Sequence, residues 1–140
     1  MSGAFLEDLE VGQSAALTRT VAASDLETFA AVTGDDNPVH LDEAYAAATP
    51  FKGRIAHGML SAGYISAVLG TKLPGPGAIY ISQTLSFRRP VRISDAVTTT
   101  VKVIAIDDAK GRVTFATECR VAGKVVVEGE AVVAPPRRPA

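Results

Sequence analysis

Through the second half of the chain, hydrophobic positions alternate with polar ones. In "GAIYISQTLSF" (77–87), Ile79, Ile81, Leu85 and Phe87 fall on one face, and Tyr80, Ser82, Thr84 and Ser86 on the other. Successive side chains of a strand point to opposite faces, so this period of two predicts a half-buried strand. "AVTTTVKVIAID" (96–107), "RVTFATECRVA" (112–122) and "KVVVEGEAVVA" (124–134) are β-branched runs separated by "DDAKG" and "AGK", both suited to hairpin turns. With "GQSAALTRTV" (12–21) as a first strand, five strands are expected, mostly in a meander.

The first half follows a helical period instead. In "SDLETFAAVTG" (24–34), Leu26, Phe29, Ala30 and Thr33 share a face, Ser24 and Glu27 have capping-box spacing, and Gly34 is a natural stop. A second short helix is expected over 41–49. The stretch "HGMLSAGYISAVLG" (57–70) carries no charge and is small or apolar nearly all round, which predicts a helix buried on every side. At about 1.5 Å per residue it spans only about 20 Å, too short for a bilayer. Gly63 inside it costs up to about 1 kcal/mol relative to alanine, which points to something packed closely there. A five-stranded antiparallel sheet curled around one buried helix accommodates both halves. The expected fold class is α+β, a single hot-dog domain over 1–134, with the Pro/Arg tail 135–140 left to fray. Open sheet edges invite pairing with a second copy, so a homodimer is expected.

Composition narrows the function classes. Fourteen Lys and Arg stand against fifteen Asp and Glu, with the basic residues dispersed, so no nucleic-acid partner is expected. No apolar run approaches the roughly 20 residues of a membrane span, and the N-terminus lacks the pattern of a signal peptide. No membrane association and a cytoplasmic location are therefore expected. Cys119 is the only cysteine, which rules out an intrachain disulfide and a cysteine-based zinc site; in the strand-like "FATECRVAG" it reads as core filler.

The candidate chemistry sits in "TGDDNPVHLDEAYA" (33–46). Asp, Asn, Gly and Pro are turn residues, so one reading is a helix end followed by a turn. A calcium loop starting at Asp35 fails at the positions that need glycine and glutamate, which hold His40 and Ala46. The third reading pairs Asp35 with His40, a carboxylate and an imidazole fit for general acid–base work on a water molecule. Asn37, placed before Pro38, is driven out of the α region and can turn the loop so that the two converge. A second motif, "AHGML" (56–60), sets Gly58 at the start of the apolar helix. Free amides and the positive dipole end there suit a developing oxyanion, and no Cβ keeps a carbonyl away.

These residues carry a resemblance. "FAAVTGDDNPVHLDEAYA" (29–46) resembles the hydratase-2 signature of the MaoC-like (R)-specific enoyl-CoA hydratases. "HGML" (57–60) and "GAIYISQTLSFRRPVRISDAVT" (77–98) are similar to later segments of that family, and the likeness runs over nearly the whole chain. Within it, the chain resembles the short single-domain hydratases that supply (R)-3-hydroxyacyl-CoA for polyhydroxyalkanoate synthesis. The resemblance implies a hot-dog fold and syn addition of water to a trans-2-enoyl-CoA, with no metal and no cofactor beyond the coenzyme A of the substrate. It implies Asp35 and His40 as the catalytic pair, Asn37 as support of their loop, the Gly58 amide as receiver of the thioester oxygen, and Ser66 as a residue lining the site. Met59, Leu60, Tyr64, Ile65 and Leu69 are candidates for a dry acyl pocket, and Arg88, Arg89, Arg92, Lys52 and Arg54 for the CoA phosphates. For each of them core packing or a solvated rim is the simpler account. His57 either orients the loop or satisfies backbone groups. Three rival functions are an acyl-CoA thioesterase, a 3-hydroxyacyl thioester dehydratase acting on CoA or carrier protein, and a non-catalytic acyl-binding subunit. Retention of both Asp35 and His40 weighs against the last.

Overall fold

The computed structural model describes residues 2–140; Met1, first residue of the expected 1–134 domain, lies outside them. Three long strands, β4 (Ala96–Asp107), β5 (Arg112–Val121) and β6 (Lys124–Ala134), form an antiparallel meander. β1 (Ser14–Thr20) pairs with the free edge of β4, and β2 (Ile79–Gln83) with that of β6, giving the order β1-β4-β5-β6-β2. The predicted period of two is realised in the meander. Val97, Thr99, Val101 and Val103 of β4 are buried, as are Val113, Phe115, Thr117 and Cys119 of β5, while their neighbours in sequence are less so. Helix α4 (Gly58–Thr71) contributes Ile65, Val68 and Leu69 to the same core. Burial of each such aliphatic side chain is worth at most about 1.5–3 kcal/mol. The sheet wrapped on a helix is the hot-dog arrangement.

Several elements differ from expectation. The strand expected over 77–87 is broken: β2 ends at Gln83, and a two-residue β3 (Ser86–Phe87) resumes on the same neighbour, β6, so the sheet has six strands. Gly129 permits the crossing between them, because a Cβ there would lie 1.8 Å from the Thr84 carbonyl oxygen. Alternation is also lost at a bulge: Tyr80 faces Val133 and Ser82 faces Val132, leaving Ile81 without a partner. Ile79, Tyr80 and Ile81 are all exposed, on a strand at the end of the sheet.

Helix α1 (Ala23–Thr33) starts ahead of the Ser24–Glu27 box. The carboxylate of Asp25 accepts the Ala22 N–H at 2.9 Å, moving the cap two residues upstream. Gly34 stops the helix as expected, in the left-handed region at φ +83°. The helix expected over 41–49 is two, α2 (Pro38–Leu41) and α3 (Glu43–Ala47), capped separately by Asn37 Oδ1 and Asp42 Oδ1.

Helix α4 is not enclosed on every side. Met59, Gly63, Ser66 and Gly70 form an exposed stripe, and a Cβ at Gly63 would meet nothing within 4 Å. A sheet of this width covers one side of a helix, and among the described residues no other element covers the opposite side. The tail also departs from expectation. Residues 135–140 form no helix or strand, yet Pro136 O accepts the Leu6 N–H at 2.8 Å, and Arg138 pairs with Asp8 and lies 5.0 Å over the Phe5 ring. Its prolines remove regular structure without detaching it. No helix among the described residues is long and apolar enough to cross a membrane.

Candidate active site

The loop after α1 is built from local bonds that its own residue types supply. The Asp35 N–H donates to Thr33 Oγ1 at 3.2 Å, and its Oδ1 accepts the Asn37 N–H at 3.4 Å. Asn37 then caps α2, and Pro38 takes the first helical position, where a missing N–H costs nothing. One turn of helix carries His40 back beneath Asp35.

His40 is buried, and its Nδ1 lies 2.8 Å from the Ile55 carbonyl oxygen. A carbonyl can only accept, so Nδ1 carries a proton, and in the neutral imidazole the lone pair that a base requires is then on Nε2. His57 is also buried; its Nε2–H donates to the Asp35 carbonyl at 2.9 Å. Its ring stacks on His40, with centroids 3.8 Å apart and planes 28° apart, and it touches Phe29 at 4.5 Å on centroids. Asp35, His40 and His57 each offer an atom within 4.8 Å of the others.

Two histidines and a carboxylate so close raise the question of a metal. An ion bonds in the plane of an imidazole, about 3 Å from the ring centre. Planes 28° apart with centres 3.8 Å apart meet roughly 7 Å away. No single ion can lie in both planes at bonding distance, so the stack does not suit a shared metal.

A cavity of about 500 Å³ opens at this point, and Asp35, His40, His57 and Gly58 all line it. Gly58 is the first residue of α4, whose leading amides have no carbonyl four residues back to bind. The Phe87 ring stands where a side chain would be: its Cε1 would lie 2.6 Å from a Cβ on Gly58. Arg88 and Arg89 border the same cavity, with Arg88 3.4 Å from Glu128 across exposed surface.

The other candidates scatter. Met59 lines the cavity and also a second, more open groove of about 610 Å³, where Ser66 lies with Phe29, Tyr80 and Ile81. Ser66 is thus one strip away from the histidines. Leu69 borders a small cavity of about 140 Å³ beside Ser66 and Tyr80. Leu60 and Tyr64 pack against the core, and Ile65 is wholly buried within it. Burial pushes the Tyr64 phenol up, helped by the charge of Asp25. Lys52 is exposed in a left-handed turn, and Arg92 donates to the Phe51 carbonyl. Arg54 turns inward, its Nε donating to the His40 carbonyl at 2.7 Å. Neither Lys52, Arg54 nor Arg92 lines the cavity, whereas Ser61 and Phe87, not singled out by sequence, do. Ser61 stands three residues after Gly58 on the same helix face, a spacing that gives it away in retrospect.

The fold and the loop define a class, and the MaoC like domain matches the chain over residues 7–125. The chain belongs to the MaoC-like family. Its relatives are specific within that class. It is 59% identical over 134 residues, 96% of this chain and 93% of the relative, to an (R)-specific enoyl-CoA hydratase of Rhodospirillum rubrum. A 3-hydroxybutyryl-CoA dehydratase of Methylorubrum extorquens is 53% identical over 96% of this chain and 85% of its own. Among solved structures, the unliganded R-hydratase PhaJ1 of Pseudomonas aeruginosa superposes with a TM-score of 0.92 at 52% identity, covering 97% of this chain and 88% of that one.

Proposed function

We propose that this protein adds water to trans-2-enoyl-CoA to give (R)-3-hydroxyacyl-CoA, the product type used as monomer in polyhydroxyalkanoate synthesis. One observation carries the reading: Asp35, His40 and the leading amide of α4 at Gly58 border one cavity. A water held between the Asp35 carboxylate and His40 Nε2 loses a proton to that pair and attacks C3. The displaced electron pair moves through the conjugated bond onto the thioester oxygen, which the Gly58 N–H receives. The proton then returns to C2 from the same side, so the addition is syn.

Acid–base catalysis of this kind is worth about 10²–10⁴-fold. A preorganised oxyanion donor contributes about 3–4 kcal/mol of barrier. Adding water leaves the overall oxidation level unchanged and the amide serves the oxyanion, so the reaction needs neither nicotinamide nor metal. Being reversible, it also runs as a dehydration, which agrees with the dehydratase name of one relative.

On this reading Arg88 and Arg89, which border the cavity, meet the CoA phosphates, and the acyl chain runs past Met59 into the groove beside Ser66. That groove is open on the bare stripe of α4 and the exposed edge of β2. A second copy laid on this face would convert it into a dry tunnel, which supports a homodimer. The test is a hydration assay with enoyl-CoAs of increasing length, reading product chirality and free-thiol release. Asp35→Asn and His40→Gln should fold and lose at least about 100-fold in kcat. Near-wild-type turnover in either refutes the acid–base assignment, and thiol release without alkene loss means a thioesterase.

A further inference from the structure

Three residues of the segment 54–57, Arg54, Ile55 and His57, hold the catalytic loop at Asp35, Val39 and His40. Arg54 Nε holds the His40 carbonyl (2.7 Å), Ile55 O holds the His40 ring (2.8 Å), and the Ile55 N–H holds the Val39 carbonyl (3.3 Å). His57 Nε2 holds the Asp35 carbonyl at 2.9 Å while its ring lies flat on His40. The segment is itself tied to the connection between β3 and β4 by Ala56 N–H to Val91 O at 2.7 Å.

A second observation separates Arg54 and His57 from ordinary core packing. Arg54 Nη2 and His57 Nδ1 are both buried without a hydrogen-bond partner. Buried polar atoms are nearly always paired, and an apolar side chain would fill either place without that loss. Each of the two bonds the loop with one polar atom while burying another, which sets them apart from the apolar residues around them.

We propose that Arg54 and His57 are positioning residues for the acid–base pair: Arg54 sets the height of His40, and His57 sets the plane of the His40 imidazole and the placement of Asp35. This rests on the hydratase reading above, and it moves Arg54 from the candidate CoA contacts to the support of the site. Neither residue is required to touch substrate, so their loss should appear in kcat and not in KM.

The test uses full-length His57→Phe, His57→Gln, Arg54→Met and Arg54→Lys, assayed on trans-2-butenoyl-CoA, with the folded fraction of each measured by circular dichroism at the assay temperature. H57F keeps a ring on His40 but loses the bond to Asp35; H57Q keeps a donor but loses the ring. A displacement of about 1 Å at a reacting group costs on the order of 100-fold. Expected are a kcat about 10–100-fold lower per folded molecule in H57F and R54M, KM within about threefold, and partial recovery in H57Q and R54K. Unchanged kcat per folded molecule, or a rise in KM at constant kcat, overturns the proposal. If H57F or R54M does not fold, H57Q and R54K decide alone: wild-type kcat in both overturns it, and a loss in kcat at constant KM upholds it. D35N and H40Q run alongside keep the two claims apart, because activity surviving there refutes the hydratase mechanism, whereas activity lost there but intact in H57F and R54M refutes only the positioning roles.

Discussion

Replacing Gly58 by alanine is the sharpest probe of the helix tip. The new Cβ would lie 2.6 Å from Phe87 Cε1 and 2.7 Å from Cδ1. Carbon atoms rest about 3.5–4.0 Å apart, so the ring must retreat by about 1 Å. Phe87 can do so, since it is 54% exposed and belongs to a two-residue strand. An off-rotamer ring costs about 0.5–1.5 kcal/mol. Alanine returns up to about 1 kcal/mol through its better helix propensity. Stability should therefore change by no more than about 1 kcal/mol. The rate should not be spared, because the methyl group sits beside the amide and displaces a ring that lines the same cavity. A loss of about 10–100-fold in kcat/KM is expected, about 1.4–2.7 kcal/mol of barrier. Initial rates on trans-2-butenoyl-CoA and urea unfolding measure both quantities. Wild-type kcat/KM in G58A would refute the assignment of this amide to the oxyanion. The G58A/F87A double variant, read against each single one, locates the cause. Recovery of rate on removal of the ring would mean that ring displacement, not the amide, was responsible.

Gly129→Ala is expected to cost about 3 kcal/mol or more, since its Cβ meets backbone atoms of Thr84 and Leu85 that cannot rotate away; the urea midpoint reads it. Burial pushes the Cys119 thiol up from its usual 9.0, outweighing the lowering effect of Thr99. The unfolded chain thus releases this proton first as pH rises. The contribution is full below about pH 9 and is lost as pH climbs through the folded value, so urea stability should fall in that range. Cys119→Ala should make the fall shallower, and an identical slope would contradict the linkage. Ile81→Arg places a charge on the exposed β2 edge beside the open groove. Sedimentation is expected to find a dimer for the wild-type protein and a monomer for the variant, and the same species in both would exclude that face as the interface.

The local devices were legible in the chain because each depends on neighbours in sequence. The strands of the meander follow from period-two alternation, and Gly34 stops α1 because the left-handed conformation suits glycine. The turn of Asn37 and Pro38 likewise foretold that Asp35 and His40 would meet, although it is a one-turn helix rather than a loop that joins them. Capping was misplaced by two residues because Ser24 with Glu27 and Asp25 with Ala22 compete over the same short stretch, and both fit the same local rule.

Tertiary structure decided what distant segments do to one another. Arg54 reads from sequence as a surface cation, and only the approach of its segment to the loop gives its guanidinium the His40 carbonyl. The contact of the His57 ring with both Phe29 and His40 likewise joins segments far apart in the chain. The broken β2–β3 strand depends on a chain crossing at Gly129, and the bare stripe of α4 on how far one sheet can curl. Periodicity and caps are set by bonds within a few residues. Contact between residues far apart in the chain depends on which buried faces find each other, and no local pattern encodes that.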